Sequence, residues 1–396
     1  MTMLLAWLLA ALALLMLLPV LVLLAQVLLA CLPMRSPPLA PGGRGPLAVL
    51  VPAHDEAAVI RATLACIRLQ LLEGDRLLVV ADNCSDDTAA LARACGAEVV
   101  ERSDAQHRGK GYALDYGVRH LAAAPPQVLV IIDADCQVGE GAIDRLARSC
   151  LASERPVQAL YLMRAPAGAG LKVLVAEFAW RVKNLVRPRG WARLGLPCQL
   201  MGAGMAFLWR DLAKVELASG HLVEDLKLGL DFCRQGKPPL FCPEALVSSQ
   251  FPGSDEGLSS QRKRWEHGHL GVVLADAPRL LATAVTQGNG RLLAMALDLL
   301  VPPLALLSLL SVATFLLCWL AFVAFGVLAP ALLATLALVL LGSSVVLAWA
   351  RFAREQIAFS VLLYAPLYAM KKIPLYLGFL IRRQVEWVRS KRDDDQ

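Results

Sequence analysis

Two aspartates one residue apart, Asp133 and Asp135, close the very apolar run Val128 to Ile132. Paired hard carboxylate oxygens suit a magnesium or manganese ion carrying a diphosphate, because such ions keep sites for water and phosphate oxygens. An Asp at a strand end can equally cap the following helix. Asp82 follows a second apolar run, Leu77 to Ala81, where its carboxylate could accept from a base or ribose, or serve a turn. Ser85, within Asp82-Asn83-Cys84-Ser85-Asp86-Asp87-Thr88, reads as the N-cap of the next helix. Glu224-Asp225 opens a helical segment that Gly236 closes. The helix dipole favours the carboxylate anion there, as a general base requires, although acids also gather at helix starts for structural reasons. Gln261-Arg262-Lys263-Arg264-Trp265 joins guanidinium forks that match phosphate oxygens to an indole face that suits a sugar ring. A basic juxtamembrane helix would look the same. His267 and His269 follow, but two residues so spaced on a helix do not share a face.

The elements that must position these residues are an alternation of short apolar runs and longer helical patterns. Runs at Leu47–Val51, Leu77–Ala81, Glu98–Glu101 and Val128–Ile132 alternate with helical periodicity over 56–71, 86–95 and 111–121. Such a series reads as βαβ units and a mostly parallel sheet. Ligands of these sheets bind beyond the carboxyl ends of the strands. Pro52-Ala53-His54-Asp55-Glu56, Asp82-Asn83 and Asp133-Ala134-Asp135 all fall at that edge, so acids gather where the fold binds something. The first run lacks a following GxGxxG, which counts against a nicotinamide or flavin dinucleotide enzyme. His107-Arg108-Gly109-Lys110-Gly111 has neither the spacing nor the Ser/Thr of a P-loop.

Apolar residues make up 57% of the chain, and they are unevenly spread. No charge occurs from Met1 to Met34, nor from Leu299 to Ala350. A bilayer core needs roughly 20 apolar residues in a helix, so the first stretch supplies one span and the second has room for two. The first stretch lacks the basic start of a cleaved signal peptide and is too long for one, which favours a retained anchor. These features divide the chain into an anchor over 1–34, a linker over 35–45 and a soluble domain over 46–290. Membrane helices then follow at 297–326 and 328–350, with an interfacial or third membrane segment and basic tail over 356–396. Arg35 and Arg44 after the first span, and Arg351 and Arg354 after the last long one, put the soluble domain in the cytoplasm. The net charge of +6 suits membrane lipids, since Arg382, Arg383, Arg389, Lys391 and Arg392 cluster beside apolar segments. No nucleic-acid-binding motif accompanies them. Ten cysteines without CxxC spacing read as buried free thiols of a reducing compartment.

Taken together, the motifs resemble the family 2 glycosyltransferases in their order through most of Leu47 to Gly271. They comprise Val51-Pro52-Ala53-His54-Asp55-Glu56, Asp82 to Thr88, Arg108-Gly109-Lys110-Gly111-Tyr112, Asp133-Ala134-Asp135, Gly202-Ala203-Gly204-Met205, Glu224-Asp225-Leu226 and Gln261 to Trp265. Val79 to Cys84 and Arg108 to Gly117 resemble most closely the membrane-bound, methanolan-type branch of bacterial exopolysaccharide synthesis.

The resemblance implies a GT-A nucleotide-sugar-binding fold, Rossmann-like, with transmembrane helices at both ends. It implies an inverting transferase of the inner membrane that uses a nucleotide-diphosphate sugar, a UDP-sugar foremost, and a saccharide or lipid-linked acceptor. Pro52, Glu56 and Asp82 would hold the nucleoside with Lys110 nearby. Asp133 and Asp135 would bind the diphosphate with Mg2+ or Mn2+, Asp135 as direct ligand. Asp225 would be the base, Gln261 and Arg264 would grip the pyrophosphate, and Trp265 would stack on the acceptor sugar. Val223 replaces the family's usual Thr and removes a possible hydroxyl contact, while two or three spans are few for a polymer channel. Transfer is the expectation, and single or processive addition stays open. The alternatives are a glycolipid-forming transferase or a non-catalytic sugar-binding subunit. A sugar nucleotidyltransferase would want a basic Gly-rich loop where Pro52 to Glu56 is acidic.

Overall fold

The computed structural model describes residues 2–252 and 255–381. The basic tail from Arg382 onward lies outside the described residues. In chain order the elements begin with α1 (Thr2–Ala30), β1 (Leu47–Ala53), α2 (Ile60–Arg68), β2 (Arg76–Asp82), α3 (Thr88–Ala94), β3 (Glu98–Arg102), α4 (Lys110–Leu121) and β4 (Val128–Ile131). Next come β5 (Gln137–Val138), α5 (Ala142–Ser153), β6 (Val157–Arg164), α6 (Leu171–Arg181), a π-helical turn (Val182–Val186), α7 (Arg187–Arg193), β7 (Met205–Leu208) and α8 (Trp209–Leu212). The chain then forms α9 (Glu224–Arg234), β8 (Leu240–Gln250), α10 (Asp255–Thr286) and α11 (Gly290–Leu299). It continues as α12 (Leu304–Phe325), α13 (Leu328–Phe352), α14 (Phe359–Lys371) and α15 (Ile373–Ile381).

These elements form two compact units, each assembled from separate stretches of chain. One comprises 35–166 and 196–269, the other 2–34, 167–195 and 270–381. The first holds an eight-stranded sheet in the order β3-β2-β1-β4-β7-β6-β8-β5. Its first half is parallel: β1 lies between β2 and β4, with Val49 opposite Leu77 and Leu47 opposite Val128. Beyond β4 the sheet is mixed, because β7 runs antiparallel to both β4 and β6, and β5 to β8, while β6 and β8 are parallel. The mostly parallel expectation therefore describes the half whose strands are joined by helices. β1, β2 and β4 are buried nearly end to end, which is why they read as unbroken apolar runs. Helix α4 packs on this half beside Leu50, Leu78 and Val80. A Cβ at Gly117 would stand 2.5 Å from Leu50 Cδ1, so only glycine lets the helix lie this close.

The second unit gathers the apolar helices. α1, α12 and α13 are each long and apolar enough to cross a membrane. α12 starts only after Pro302 and Pro303, whose missing N–H groups cannot continue a helical ladder, so the residues before them form the separate α11. Gly326, left-handed at φ 75°, ends α12 and turns the chain into α13. Residues 167–195, which fall between β6 and β7 in sequence, belong to this unit. There Arg187 on α7 donates to the Asp298 carboxylate at 2.9 Å and to its carbonyl at 2.6 Å, while Gln26 of α1 reaches the same carboxylate at 2.6 Å. All three side chains are buried. The ten cysteines are free thiols, six of them buried.

Candidate active site

Three strand ends and two helix starts supply the candidate residues. β1 runs out at Ala53, and Asp55 then takes a left-handed φ of 52°. β2 ends at Asp82, and Asn83 repeats that φ of 52°. Non-glycine residues held there cost about 1–3 kcal/mol each, and such strain collects at functional loops. The two loops clip each other. His54 Nδ1 lies 2.6 Å from the Asp82 carbonyl, Asp55 accepts from the Ser85 N–H at 2.6 Å, and Thr88 Oγ1 accepts from the Glu56 N–H at 2.7 Å. Ser85 is therefore not the N-cap that its position suggests. α3 starts at Thr88 with Asp87 at the N-cap, Asp86 accepts from the Thr88 N–H at 3.0 Å, and Ser85 is drawn across to Asp55. Asp55, Cys84 and Asp86 come near one another, but burial pushes the Cys84 thiol up to about 11 and both acids already accept backbone N–H groups. That trio ties loops together.

Asp82 is buried and bound. Arg102 Nη1 meets its Oδ1 at 2.6 Å, and Asn83 Nδ2 donates to the same oxygen at 2.9 Å. Burial raises the Asp82 carboxyl above its ordinary range, and Arg102 pulls it down. Arg102 also donates to Asp104 at 3.1 Å and to the His107 carbonyl at 2.8 Å, and stands 5.5 Å from the Tyr112 ring. Sequence reasoning missed Arg102. The signal was available, since β2 and β3 pair in parallel with Arg102 directly opposite Asp82, at the last residue of each strand. Pro52 and Glu56 are half-buried on the same edge.

The second group centres on Gly202. Lys110, at the first turn of α4, donates from Nζ to the Gly202 carbonyl at 2.8 Å and forms an ion pair with Asp133. Gly202 is left-handed at φ 94°, and its open side is a shared target. A Cβ placed there would lie 3.2 Å from Asp225 Oδ2, 3.6 Å from Lys110 Nζ and 3.9 Å from Asp133 Oδ2. Three segments far apart in the chain thus point reactive atoms at one small space. Asp133 follows β4, where Thr63 of α2 holds the middle of the Asp133-Ala134-Asp135 turn by donating to the Ala134 carbonyl at 2.8 Å. Asp225 sits in the first turn of α9.

Acids and cations interlock in this group. Burial pushes the Asp133 carboxyl up, Lys110 opposes this, and the Asp135 charge adds to it. Burial and then the Asp225 charge push Glu224 up to about 7, with Lys110 again opposing. Burial works against the Lys110 ammonium, yet Asp133, Glu224 and Asp225 hold its proton more firmly than usual. Burial lowers the Arg264 guanidinium, while Glu224, Asp133, Asp135 and Asp225 attract it. Hard oxygen donors gathered in this way suit a divalent cation, Asp135 and Asp133 being the residues that would hold it. Gln261 and Trp265 are half-buried on α10, and Gln261 Oε1 is buried with no hydrogen-bond partner among the described residues. His267 and His269 are both buried in that helix.

The model of the family described as Glycosyltransferase like family 2 matches residues 44–268. A curated relative, the probable glycosyltransferase YdaM of Bacillus subtilis, is 27% identical over 255 residues, covering 58% of this chain and 56% of the relative. The chain thus spans just over half the length of that relative. The solved mannosyltransferase PcManGT from Pyrobaculum calidifontis, in complex with GDP-Man and Mn2+, is similar with a TM-score of 0.57 and 16% identity. That likeness, one of fold, covers 95% of this chain and 100% of the other. Glucosyl-3-phosphoglycerate synthase from Mycobacterium tuberculosis is 22% identical over 59% of this chain and 85% of its own, with a TM-score of 0.39.

Proposed function

Because the chain belongs to the glycosyltransferase-like family 2, we propose that it moves a sugar from a nucleotide-diphosphate donor onto a saccharide or lipid-linked acceptor, inverting the anomeric carbon. Its mixed sheet is that of the GT-A glycosyltransferases. The observation that carries the proposal is the convergence of Asp225 Oδ2, Lys110 Nζ and Asp133 Oδ2 on the open side of Gly202. One acid, one cation and one candidate metal ligand there face a single space from three directions.

In this reading, Asp225 takes the proton of the acceptor hydroxyl as that oxygen bonds to the anomeric carbon. The bond from that carbon to the donor diphosphate breaks, and its electron pair leaves with the diphosphate. Attack on the face opposite the leaving group gives inversion. Lys110 and Arg264 stabilise the charge growing on the diphosphate, with Gln261 beside them. Magnesium or manganese, when held by Asp135 and Asp133, supplies Lewis-acid neutralisation of that diphosphate. Asp82, with Arg102 behind it, and Pro52 and Glu56 form the nucleoside end, and Trp265 offers the acceptor sugar a stacking face. A UDP-sugar is the foremost donor, and PcManGT, with its bound GDP-Man and Mn2+, supports the wider class of nucleotide sugar and metal.

The three apolar helices anchor the enzyme in the cell membrane, with the sheet-bearing unit on the cytoplasmic side next to the Lys/Arg flanks. α14 and α15 lie along the interface, where Lys371 stands 5.6 Å from the Tyr364 ring and Lys372 5.0 Å from the Tyr368 ring. The product belongs to exopolysaccharide or other cell-surface glycan synthesis. The test is purified protein in detergent offered a panel of nucleotide sugars, with nucleoside diphosphate release as readout. Release from one donor that stops on chelation and returns with manganese is expected. Inertness toward every donor, or full activity with trace metals excluded, overturns the reading.

A further inference from the structure

We propose that Gln158 is a positioning residue for transfer, a buried amide that sets the loop bearing Gly202 and thereby the meeting of Lys110, Asp133 and Asp225. This rests on the transferase reading for its catalytic part. Gln158 lies on β6, paired with Met205 of β7, and its side chain is fully buried. Its Oε1 accepts from the Met201 N–H at 2.8 Å, and its Nε2 donates to the Ala203 carbonyl at 2.8 Å. One side chain thus brackets Gly202 from both sides. The same Nε2 also donates to the Ala159 carbonyl at 3.0 Å, which anchors the amide to its own strand.

Other ties among the described residues hold the ends of this loop. Gly204 donates to the Ile131 carbonyl at 2.9 Å and accepts from the Ala159 N–H at 2.7 Å. Between Leu200 and Gly204, the Met201 N–H and the Ala203 carbonyl both go to Gln158. Packing alone would be served by an apolar residue, since burying an amide costs free energy that only its hydrogen bonds offset. The position requires a donor and an acceptor on one rigid fork, which only a primary amide of this length supplies. A carboxylate lacks the donor, and methionine lacks both. The Gly202 carbonyl, fixed between the two bracketed groups, is the one that receives Lys110.

The test compares Gln158→Met with wild type as full chains in detergent. Turnover should fall about 10²-fold, the size expected when reacting groups shift by an ångström, with nucleoside diphosphate affinity unchanged. Amide exchange at Met201 should accelerate while the remaining strands keep their protection. Ile67→Ala on α2 serves as a core variant that lowers stability without touching the loop, and its turnover per folded molecule should stay at the wild-type level. Wild-type turnover by folded Gln158→Met overturns the proposal. If that variant fails to fold, Gln158→Glu keeps the acceptor for Met201 and loses the donor to Ala203, and wild-type turnover there overturns it equally. If wild type itself turns over no nucleotide sugar, the transferase reading falls. Met201 exchange then still decides, and no acceleration in the variant removes the positioning role.

Discussion

Two ionic clusters, one in each unit, differ in how far they are enclosed. In the apolar-helix unit, the Asp298 carboxylate is engaged by Arg187 and by Gln26, and all three side chains are buried. In the sheet-bearing unit, Lys110 and Arg264 attract Asp133, Glu224 and Asp225, all of them half-buried, and partial burial raises Asp133 and Glu224 above their ordinary ranges. The first is shut away from solvent, as a structural knot should be. The second keeps its carboxylates within reach of solvent, where a substrate or a divalent cation can meet them.

The sharpest way to break this contrast is at Asp225. Asp225→Asn should cut turnover about 10²–10⁴-fold while leaving nucleoside diphosphate binding intact, because a base acts only as the transition state forms. If Asp225 were only an acidic first-turn residue, the loss would be a stability change of about 0.3–1 kcal/mol with normal turnover. Calorimetric binding beside a transfer assay separates the two. At the Asp298 cluster the expectation inverts. Asp298→Asn or Arg187→Met alone should cost about 3–5 kcal/mol by leaving a buried partner uncompensated, with turnover per folded molecule preserved. The double variant Arg187→Met/Asp298→Leu should recover much of that loss in thermal denaturation.

A smaller effect comes from loading the site. Manganese with a nucleoside diphosphate at about 100 times its Kd should stabilise wild type by ~2.7 kcal/mol. Asp135→Ala should lose most of that response, and Arg187→Met should keep it. The smallest effect is in pH. Burial and the Asp225 charge push Glu224 up from its ordinary 4.5 to about 7 in the fold, so the folded state binds the extra proton between those values. Its contribution is complete below 4.5 and is lost as pH rises through 7. Metal-free wild type should therefore lose melting temperature across that window relative to Glu224→Gln. Parallel melting curves would remove Glu224 from the account.

Much of this was legible because the parallel half of the sheet writes itself locally. Each of β1, β2 and β4 is an apolar run with acids at or just after its end, so Asp82 and Asp133 stood out from pattern, whereas Glu56 was named only through the family resemblance. Lys110, Asp133 and Asp225 could be named, but not their convergence, since Gly202 joins them only through the folded loop. Ser85 misled because capping is read along the chain, whereas its partner Asp55 lies across a neighbouring strand. Arg102 and Gln158 stayed hidden for the same reason. A Gln on an apolar strand shows nothing of the two backbone groups it serves, 43 and 45 residues away. The membership of 167–195 in the helical unit was equally silent, because its basic and aromatic residues suit a soluble surface as well.

That insertion has a consequence for timing at the ribosome. β4 ends at Ile131, but the strand that covers its second edge, β7, ends only at Leu208. At about 5–20 residues per second, the ribosome takes roughly 4–15 s to cover that interval. During it the wholly apolar Val128–Ile131 edge has no partner on that side, while 167–195 emerges bound for a different unit. Bare apolar edges recruit other strands, so this is the interval in which the nascent chain is most exposed to mispairing. Chains stalled with Pro166 just outside the exit tunnel should be cleaved readily by protease within the half-built sheet, and chains stalled with Leu208 outside it should resist. Equal resistance would mean that the edge is shielded by something other than its own late strand.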